Sequence, residues 1–215
     1  MHFRSFVAVA VAVFGLSLAG ESGAEPHERT GFYLQLSFGL GRPSFSSTGV
    51  DSVTDPPLQF ADTRSGFSLT ASLLAGGALR PGLVFGAGAL GALAFNGAPQ
   101  RTRNGQPDYV EDGGGPYVDD FGLAGPFLDY YPSTTSGFHV QALGGAAAHG
   151  SADIGAGGLS GFGLMGGIGY DGWASDKWSV GVLARLTYTN TTANVSFSER
   201  DIMVAPSLDL SATFH

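Results

Sequence analysis

Between Ile202 and Phe214 every second residue is apolar: Ile202, Val204, Pro206, Leu208, Leu210, Ala212 and Phe214. The residues between them, Met203, Ala205, Ser207, Asp209, Ser211 and Thr213, are mostly small or polar. A period of two belongs to a β-strand with two unlike faces. The stretch is also long enough to cross a bilayer, which takes about 9–11 residues of tilted strand. The same design recurs along the chain, and that recurrence limits the fold more than any other feature.

The first copy is Gly31 to Gly41, with Phe32, Leu34, Leu36, Phe38 and Leu40 on one face and Tyr33, Gln35 and Ser37 on the other. Arg42 to Ser65, with Pro43, Pro56 and Pro57, reads as a long loop. Strands follow over Gly66 to Gly76 and Leu83 to Phe95, joined by a tight turn at Arg80-Pro81-Gly82. Asn96 to Asp120 is a second long loop. In the fourth strand, Phe121 to Tyr131, alternation fails near Gly125-Pro126. Phe121 and Leu123 share one parity and Leu128 and Tyr130 the other, which predicts a bulge there. Without the bulge, Asp129 faces lipid, which is costly unless it lies at the rim. Further strands are expected over Gly137 to Ala147, Gly161 to Tyr170 and Lys177 to Tyr188. Long connections follow the fifth and seventh strands, and short turns follow the fourth and sixth. Eight strands with connections alternating long and short predict antiparallel neighbours. Both termini then lie on the side of the short turns.

The N-terminus reads as a targeting segment. Arg4 precedes an apolar stretch from Phe6 to Ala19, and Ser22-Gly23-Ala24 supplies small residues for cleavage after Ala24. Residues 1–24 are therefore expected to be a signal peptide and 25–215 a single barrel domain. Charged residues make up 13% of the chain, against roughly 25% in an ordinary soluble domain. No internal apolar run reaches the roughly 20 residues of a membrane helix. With no cysteine, disulfides, thiolate metal sites and thiol nucleophiles are excluded. The net charge of −8 argues against a nucleic-acid partner.

Alternation alone fits a soluble lipocalin-like barrel with its apolar face inward as well as a membrane barrel with that face outward. Two features favour the membrane form. The polar face of the strands is Ser, Thr, Gln and Gly rather than the Lys and Glu of a water-washed exterior. Aromatic residues also gather near the strand ends. Tyr130, Tyr131, Phe138, Tyr170, Trp173, Trp178 and Phe214 lie by the short turns. Phe38, Phe67, Phe95, Phe121, Phe162 and Tyr188 lie towards the long loops. Two aromatic girdles around an aliphatic band suit the two bilayer interfaces. Lipid offers no hydrogen-bond partner, so the first and last strands must pair.

The chain resembles the small eight-stranded outer-membrane β-barrel proteins of Gram-negative bacteria, the OmpA-barrel-like or porin-like proteins. The resemblance rests on the leader, on the alternation of loops and turns, and on two motifs. These are the terminal Ser207-Leu-Asp-Leu-Ser-Ala-Thr-Phe214 and Gly163-Leu-Met-Gly-Gly-Ile-Gly-Tyr170 followed by Trp173. It implies a closed, all-β, antiparallel up-and-down transmembrane barrel with four long extracellular loops and three short periplasmic turns. It also implies a place in the cell outer membrane and contact with its lipid and lipopolysaccharide; the sequence leaves the oligomeric state open, with a monomer favoured. The outer-membrane assembly machinery would read a terminal signal of Leu208, Leu210, Ala212 and Phe214. This sequence departs from that pattern in ending on His215, one residue past the aromatic.

Arg185 is the one strongly basic residue in mid-strand, and its parity points it inward, where Asp209 is its expected partner. Tyr33, Gln35, His139, Gln141 and Thr187 are expected to complete a polar lumen network. An eight-stranded barrel is just wide enough for side chains to fill, which favours a plugged lumen with a structural or surface-interaction role. The inward glycines either leave a cavity or let large neighbours lean across. A narrow pore or conduit for small solutes is the alternative, with Arg185 as its gate. No cofactor, metal site or catalytic constellation is expected. The acids of Asp108 to Asp120 do not have EF-hand spacing. His149 with Ser151 and Asp153 lacks anything to fix a nucleophile–base geometry.

Overall fold

The computed structural model describes residues 29–51, 57–108, 117–151, 158–194 and 197–215. The expected signal segment, residues 1–24, lies outside the described residues. All strands pair antiparallel. They are β1 (Phe32–Gly41), β2 (Ser44–Asp51), β3 (Leu58–Arg80), β4 (Leu83–Asn96), β5 (Gln100–Arg103) and β6 (Gln106–Asp108). After these come β7 (Tyr117–Tyr130), β8 (Phe138–Ser151), β9 (Leu159–Trp173), β10 (Trp178–Asn194) and β11 (Phe197–Phe214).

Eight staves close a ring. β1 joins β11 with Leu34 opposite Phe214 and Leu40 opposite Leu208, and joins β3 with Leu36 opposite Leu73. β2 continues the β1 stave upward, pairing the same two neighbours after a break at Arg42-Pro43. The ring then runs β3, β4, β7, β8, β9, β10, β11. Pro206 sits opposite that break, where its carbonyl accepts from the Arg42 amide at 2.9 Å. The apolar series of β11 faces outward and Asp209 inward.

Much of what reads as loop is strand. Arg42 to Ser65 contains β2 and the upper part of β3, and β5 pairs the same part of β3. β5 and β6 form a hairpin whose turn residues, Asn104 and Gly105, both have positive φ (47° and 77°). An Asn-Gly pair suits a two-residue hairpin turn for that reason. These extensions lack apolar alternation because both faces lie beyond the apolar belt. β2, for example, turns Phe45 and Ser47 inward and Ser44, Ser46 and Thr48 outward.

The bulge expected at Gly125-Pro126 is not there. Ala124 pairs Ala146 and Phe127 pairs Leu143, which is one unbroken register, and the β4 side pairs continuously. Pro126 has no N–H, and the ladder to β8 simply lapses at Gly125 and Pro126. β7 keeps one facing throughout, with Phe121, Leu123, Phe127 and Asp129 all inward and buried. Phe121 therefore belongs to the lumen and not to an outer girdle. The alternation misleads because the inner face of β7 is itself apolar in the middle. A register shift does occur in β3, between Ala78 and Arg80 beside the first short turn.

The barrel is inside-out relative to a water-soluble protein. Phe38, Leu40, Phe67, Ile168, Tyr170, Leu208 and Leu210 are each more than half exposed on the outer wall. Arg185, Asp129, Asp209 and His139 are at most 3% exposed within. Tyr130, Phe138, Tyr170 and Trp178 ring the periplasmic end outside, and Phe214 packs between Phe32 and Trp178. Phe67 stacks on Phe95 at 5.0 Å towards the other end.

Candidate functional site

Three of the staves carry the same inward text from bottom to top. On β7 it is Asp129, Phe127, Leu123, Phe121, Asp119. On β8 it is His139, Gln141, Leu143, Ala147, His149. On β11 it is Thr213, Ser211, Asp209, Ser207, Ala205, Met203, Asp201. The lumen is thus polar, then apolar, then polar.

The periplasmic polar layer centres on Arg185 and Asp129. Arg185 Nη1 donates to Ser37 Oγ (2.7 Å) and Ser72 Oγ (3.0 Å). Its Nη2 donates to Gln141 Oε1 (2.9 Å) and Gln35 Oε1 (3.2 Å). Asp209 lies 3.8 Å from Nη1, in ion-pair range but without a hydrogen bond. Its carboxylate instead accepts from Thr70 and from Ser207 (2.8 Å). Asp129 accepts from Tyr33 OH (2.6 Å) and Gln141 Nε2 (3.3 Å), and meets His139 Nδ1 at 2.8 Å. Gln141 also donates to Gln35 (3.0 Å), and Gln35 to Thr213 (3.3 Å). Of the residues expected in the network, Thr187 faces the lumen but joins none of these bonds.

Two aromatics expected at the outer interface are lumen-side residues. Tyr131 is buried, stacks on the His139 ring at 4.7 Å and donates to Asp171 Oδ2 (3.0 Å). It follows β7, where the chain turns in under the barrel floor. Trp173 has the inward parity of Asp171 and packs on His215 at the periplasmic mouth. The Arg29 guanidinium lies over both rings, 4.4 Å from that of Tyr131 and 5.0 Å from that of Trp173. His215, past the end of β11, meets Ser179 Oγ at 3.0 Å. Burial first, and the Arg29 charge second, hold its ring down to a pKa of about 3.

Leu74, Val84, Leu90, Leu123, Phe127, Leu143, Met165 and Leu183 form the apolar filling, each at most 2% exposed. Inward glycines make room for these and for the polar residues. A Cβ on Gly88 would strike Leu74, one on Gly86 would strike Phe127, and one on Gly169 would strike His139 and Leu183. Of the two expectations for these glycines, the structure shows large neighbours leaning across.

The extracellular polar layer uses residues that read as loop. Arg64 Nε donates to Asp119 Oδ2 (2.8 Å), which also accepts from Asn96 (2.6 Å). Arg64 Nη2 lies 3.6 Å from Asp201, whose carboxylate accepts from Ser47. The His149 ring stacks on Phe45 at 5.0 Å and 18°. Its Nε2 is 3.5 Å from Asp119 and its Nδ1 3.6 Å from Asp201. Asp120 faces outward and is exposed, so β7 has left the apolar belt at this height. Burial pushes the Asp119 carboxyl up, but the His149 ring and the Arg64 charge outweigh it and hold it at about 2. The described acids of Asp108 to Asp120 diverge: Asp108 pairs with Arg103 at 2.7 Å, Asp119 points into the lumen and Asp120 points out. Glu111, Asp112 and Asp153 lie outside the described residues. Extending the inward parity of β11 two residues past Met203 would have found Asp201, and the same step from Phe121 finds Asp119 once β7 is read without a bulge.

No family model matches the sequence, and no curated protein matches it. Among solved structures, the outer membrane protein OprG from Pseudomonas aeruginosa aligns with a TM-score of 0.54 at 13% identity, covering 89% of this chain and 100% of that one. Neisserial surface protein A aligns at 0.48 and 14% identity over 86% of this chain and 97% of its own. The outer membrane protein AlkL, solved in lipid bilayers, aligns at 0.44 and 12% over 92% and 95%. At such identities the likeness is one of fold, and the OprG alignment carries it. This chain has the fold of the small eight-stranded outer-membrane β-barrels.

Proposed function

We propose that the chain is an integral outer-membrane protein whose lumen is shut by its own side chains. Its role on this reading is structural, or lies in contacts made by the strand extensions and connections at the extracellular end. The observation that carries this is the inverted burial. The outer wall exposes an apolar belt, while Arg185, Asp129 and Asp209 are sealed inside with hydrogen bonds. In water such a wall would associate or aggregate; in lipid it is the solvated surface. The closed polar–apolar–polar stack favours a plug over a conduit, because water would have to cross the Leu90, Leu123, Met165 layer.

The outward face of β11, with Leu208, Leu210, Ala212 and Phe214, is the surface we assign to recognition by the assembly machinery. Outer-membrane lipid and lipopolysaccharide are the partners of the belt and the rim above it. We assign no catalytic role to His149, whose ring faces Asp119 and Asp201 among the described side chains.

Membrane fractionation of the expressed protein tests the location: recovery in the soluble fraction without detergent would sink the reading. Planar-bilayer recording tests the plug. No steady conductance is expected from the wild type. Single-channel steps that change on Arg185→Ala would establish the pore instead.

A further inference from the structure

The lower layer leaves Arg185 Nε and His139 Nε2 without a hydrogen bond among the described residues, and the extracellular layer leaves more. Among the described residues, both ring nitrogens of His149, Asp201 Oδ1, Asn96 Oδ1 and Arg64 Nη2 are buried and find no hydrogen-bond partner. His149 itself is 3% exposed. Its two nitrogens face two different carboxylates on two different staves, β7 and β11, which stand on opposite sides of β8, β9 and β10 in the ring.

A neutral imidazole has one N–H and one lone pair. Placed between two carboxylates, it can donate to one and must turn its lone pair on the other. An imidazolium donates to both. Asp119 (β7) and Asp201 (β11) contribute two negatives, and Arg64 (β3) one positive. Asp62 (β3) is already matched by Arg101 (β5) through two bonds of 2.8 Å. Burial first and Asp201 next push the Glu199 carboxyl (β11) up, and wherever it is ionised it adds to the negative side. At least one negative remains, and His149 is the group between its sources. Among the described residues, Phe45 and Ser47 on β2, Asn96 on β4 and Phe121 on β7 complete the layer and are uncharged. Phe45, stacked on the ring, holds it in the plane that aims each nitrogen at a carboxylate.

We propose that His149 is a proton-operated clasp across the extracellular mouth of the lumen, tying β8 to β7 and β11 when doubly protonated and releasing one of them when neutral. The proposal deepens the plugged-barrel reading and rests on it. It makes the upper closure responsive to external pH, while the Arg185 layer below stays shut.

The test uses the full mature chain refolded into phosphatidylcholine nanodiscs, with histidine ring nitrogens labelled with 15N. At about pH 5.5 both His149 nitrogens should show the shifts of protonated sites, and at about pH 8.5 only one should. Over the same range, amide exchange at the upper ends of β7, β8 and β11 should rise about tenfold after correction for base catalysis. Exchange around Arg185 should not move. His149→Gln should fix the upper ends at the high-pH rate. Asp201→Asn should move the ring titration to lower pH. A ring carrying one proton throughout, or upper-end exchange equal in wild type and His149→Gln at both pH values, overturns the clasp. The ring shifts of the unaltered chain decide this even if a variant fails to fold. Slow exchange around Arg185 reports the closed barrel independently, so its absence would count against the barrel reading and not the clasp alone.

Discussion

The two ends of the lumen solve one problem differently. At the periplasmic end, amides and hydroxyls stand between the charges: Gln35, Gln141, Ser37 and Ser72 take up the Arg185 guanidinium, and Asp209 bonds Thr70 and Ser207. At the extracellular end a charged pair bonds directly, Arg64 on Asp119 at 2.8 Å, and more buried polar atoms lack a hydrogen bond among the described residues than at the lower end, where Arg29 Nε, His139 Nε2 and Arg185 Nε do. The difference follows depth. A charge at membrane height has lipid behind the wall and must be satisfied from inside, since desolvation of an unmet ion costs several kcal/mol. Above the belt, water is close, and an incomplete shell is tolerated.

The sharpest way to break this contrast is to remove Asp129. Asp129→Leu strands Tyr33 OH, His139 Nδ1 and one Gln141 donor in a buried site. A loss of about 3–5 kcal/mol is expected, as for breaking a buried pair. Urea unfolding in bilayers, followed by the two tryptophans (both at the periplasmic end), would read it. A loss under about 1 kcal/mol would mean the lower layer is no more demanding than a surface ion pair.

That residue also marks where the sequence was hard to read. The eight staves, their order and the inward Arg185 and Asp209 were legible, because apolar alternation records which face meets lipid. The inward side of β7 was not, because Phe121, Leu123 and Phe127 make it apolar on both faces, and parity then carries no facing. Pro126 added a false cue, since proline interrupts a ladder with or without a bulge. Tyr131 and Trp173 look from their position like interface aromatics. Only the closure of the barrel floor by Arg29 and His215 shows that they point in. The extracellular layer was invisible because strands above the belt lose the alternation that betrays strands within it.

Asp119→Asn tests the upper end and should cost less, about 2 kcal/mol at neutral pH. Against burial, the His149 ring and the Arg64 charge hold the folded carboxyl at about 2, below its ordinary value of 3.8. Its stabilisation is therefore present above the unfolded value and lost as pH falls through the folded one. Wild type should lose stability between about pH 4 and pH 2, and the Asn variant should lose less over that window. Equal acid sensitivity in the two proteins would detach Asp119 from the upper layer. Tyr131→Phe comes next, at about 1 kcal/mol, since it deletes one bond to Asp171 and keeps the stack on His139.

The smallest effect belongs outside the lumen altogether. Arg103 and Asp108 approach to 2.7 Å in the β5–β6 hairpin, closer than Arg185 and Asp209 at 3.8 Å. Yet the Arg103 side chain is 51% exposed, where both partners keep their water and salt screens the pair. Asp108→Asn should therefore change stability by roughly 0–1 kcal/mol, and less at high salt. Asp209→Asn, across the longer gap, should cost more, because Thr70 and Ser207 donate to its buried carboxylate and the Arg185 guanidinium loses the counter-charge 3.8 Å away. If the shorter exposed pair proved the costlier to break, distance rather than burial would rank the charges of this barrel, and the contrast between its two ends would lose its cause.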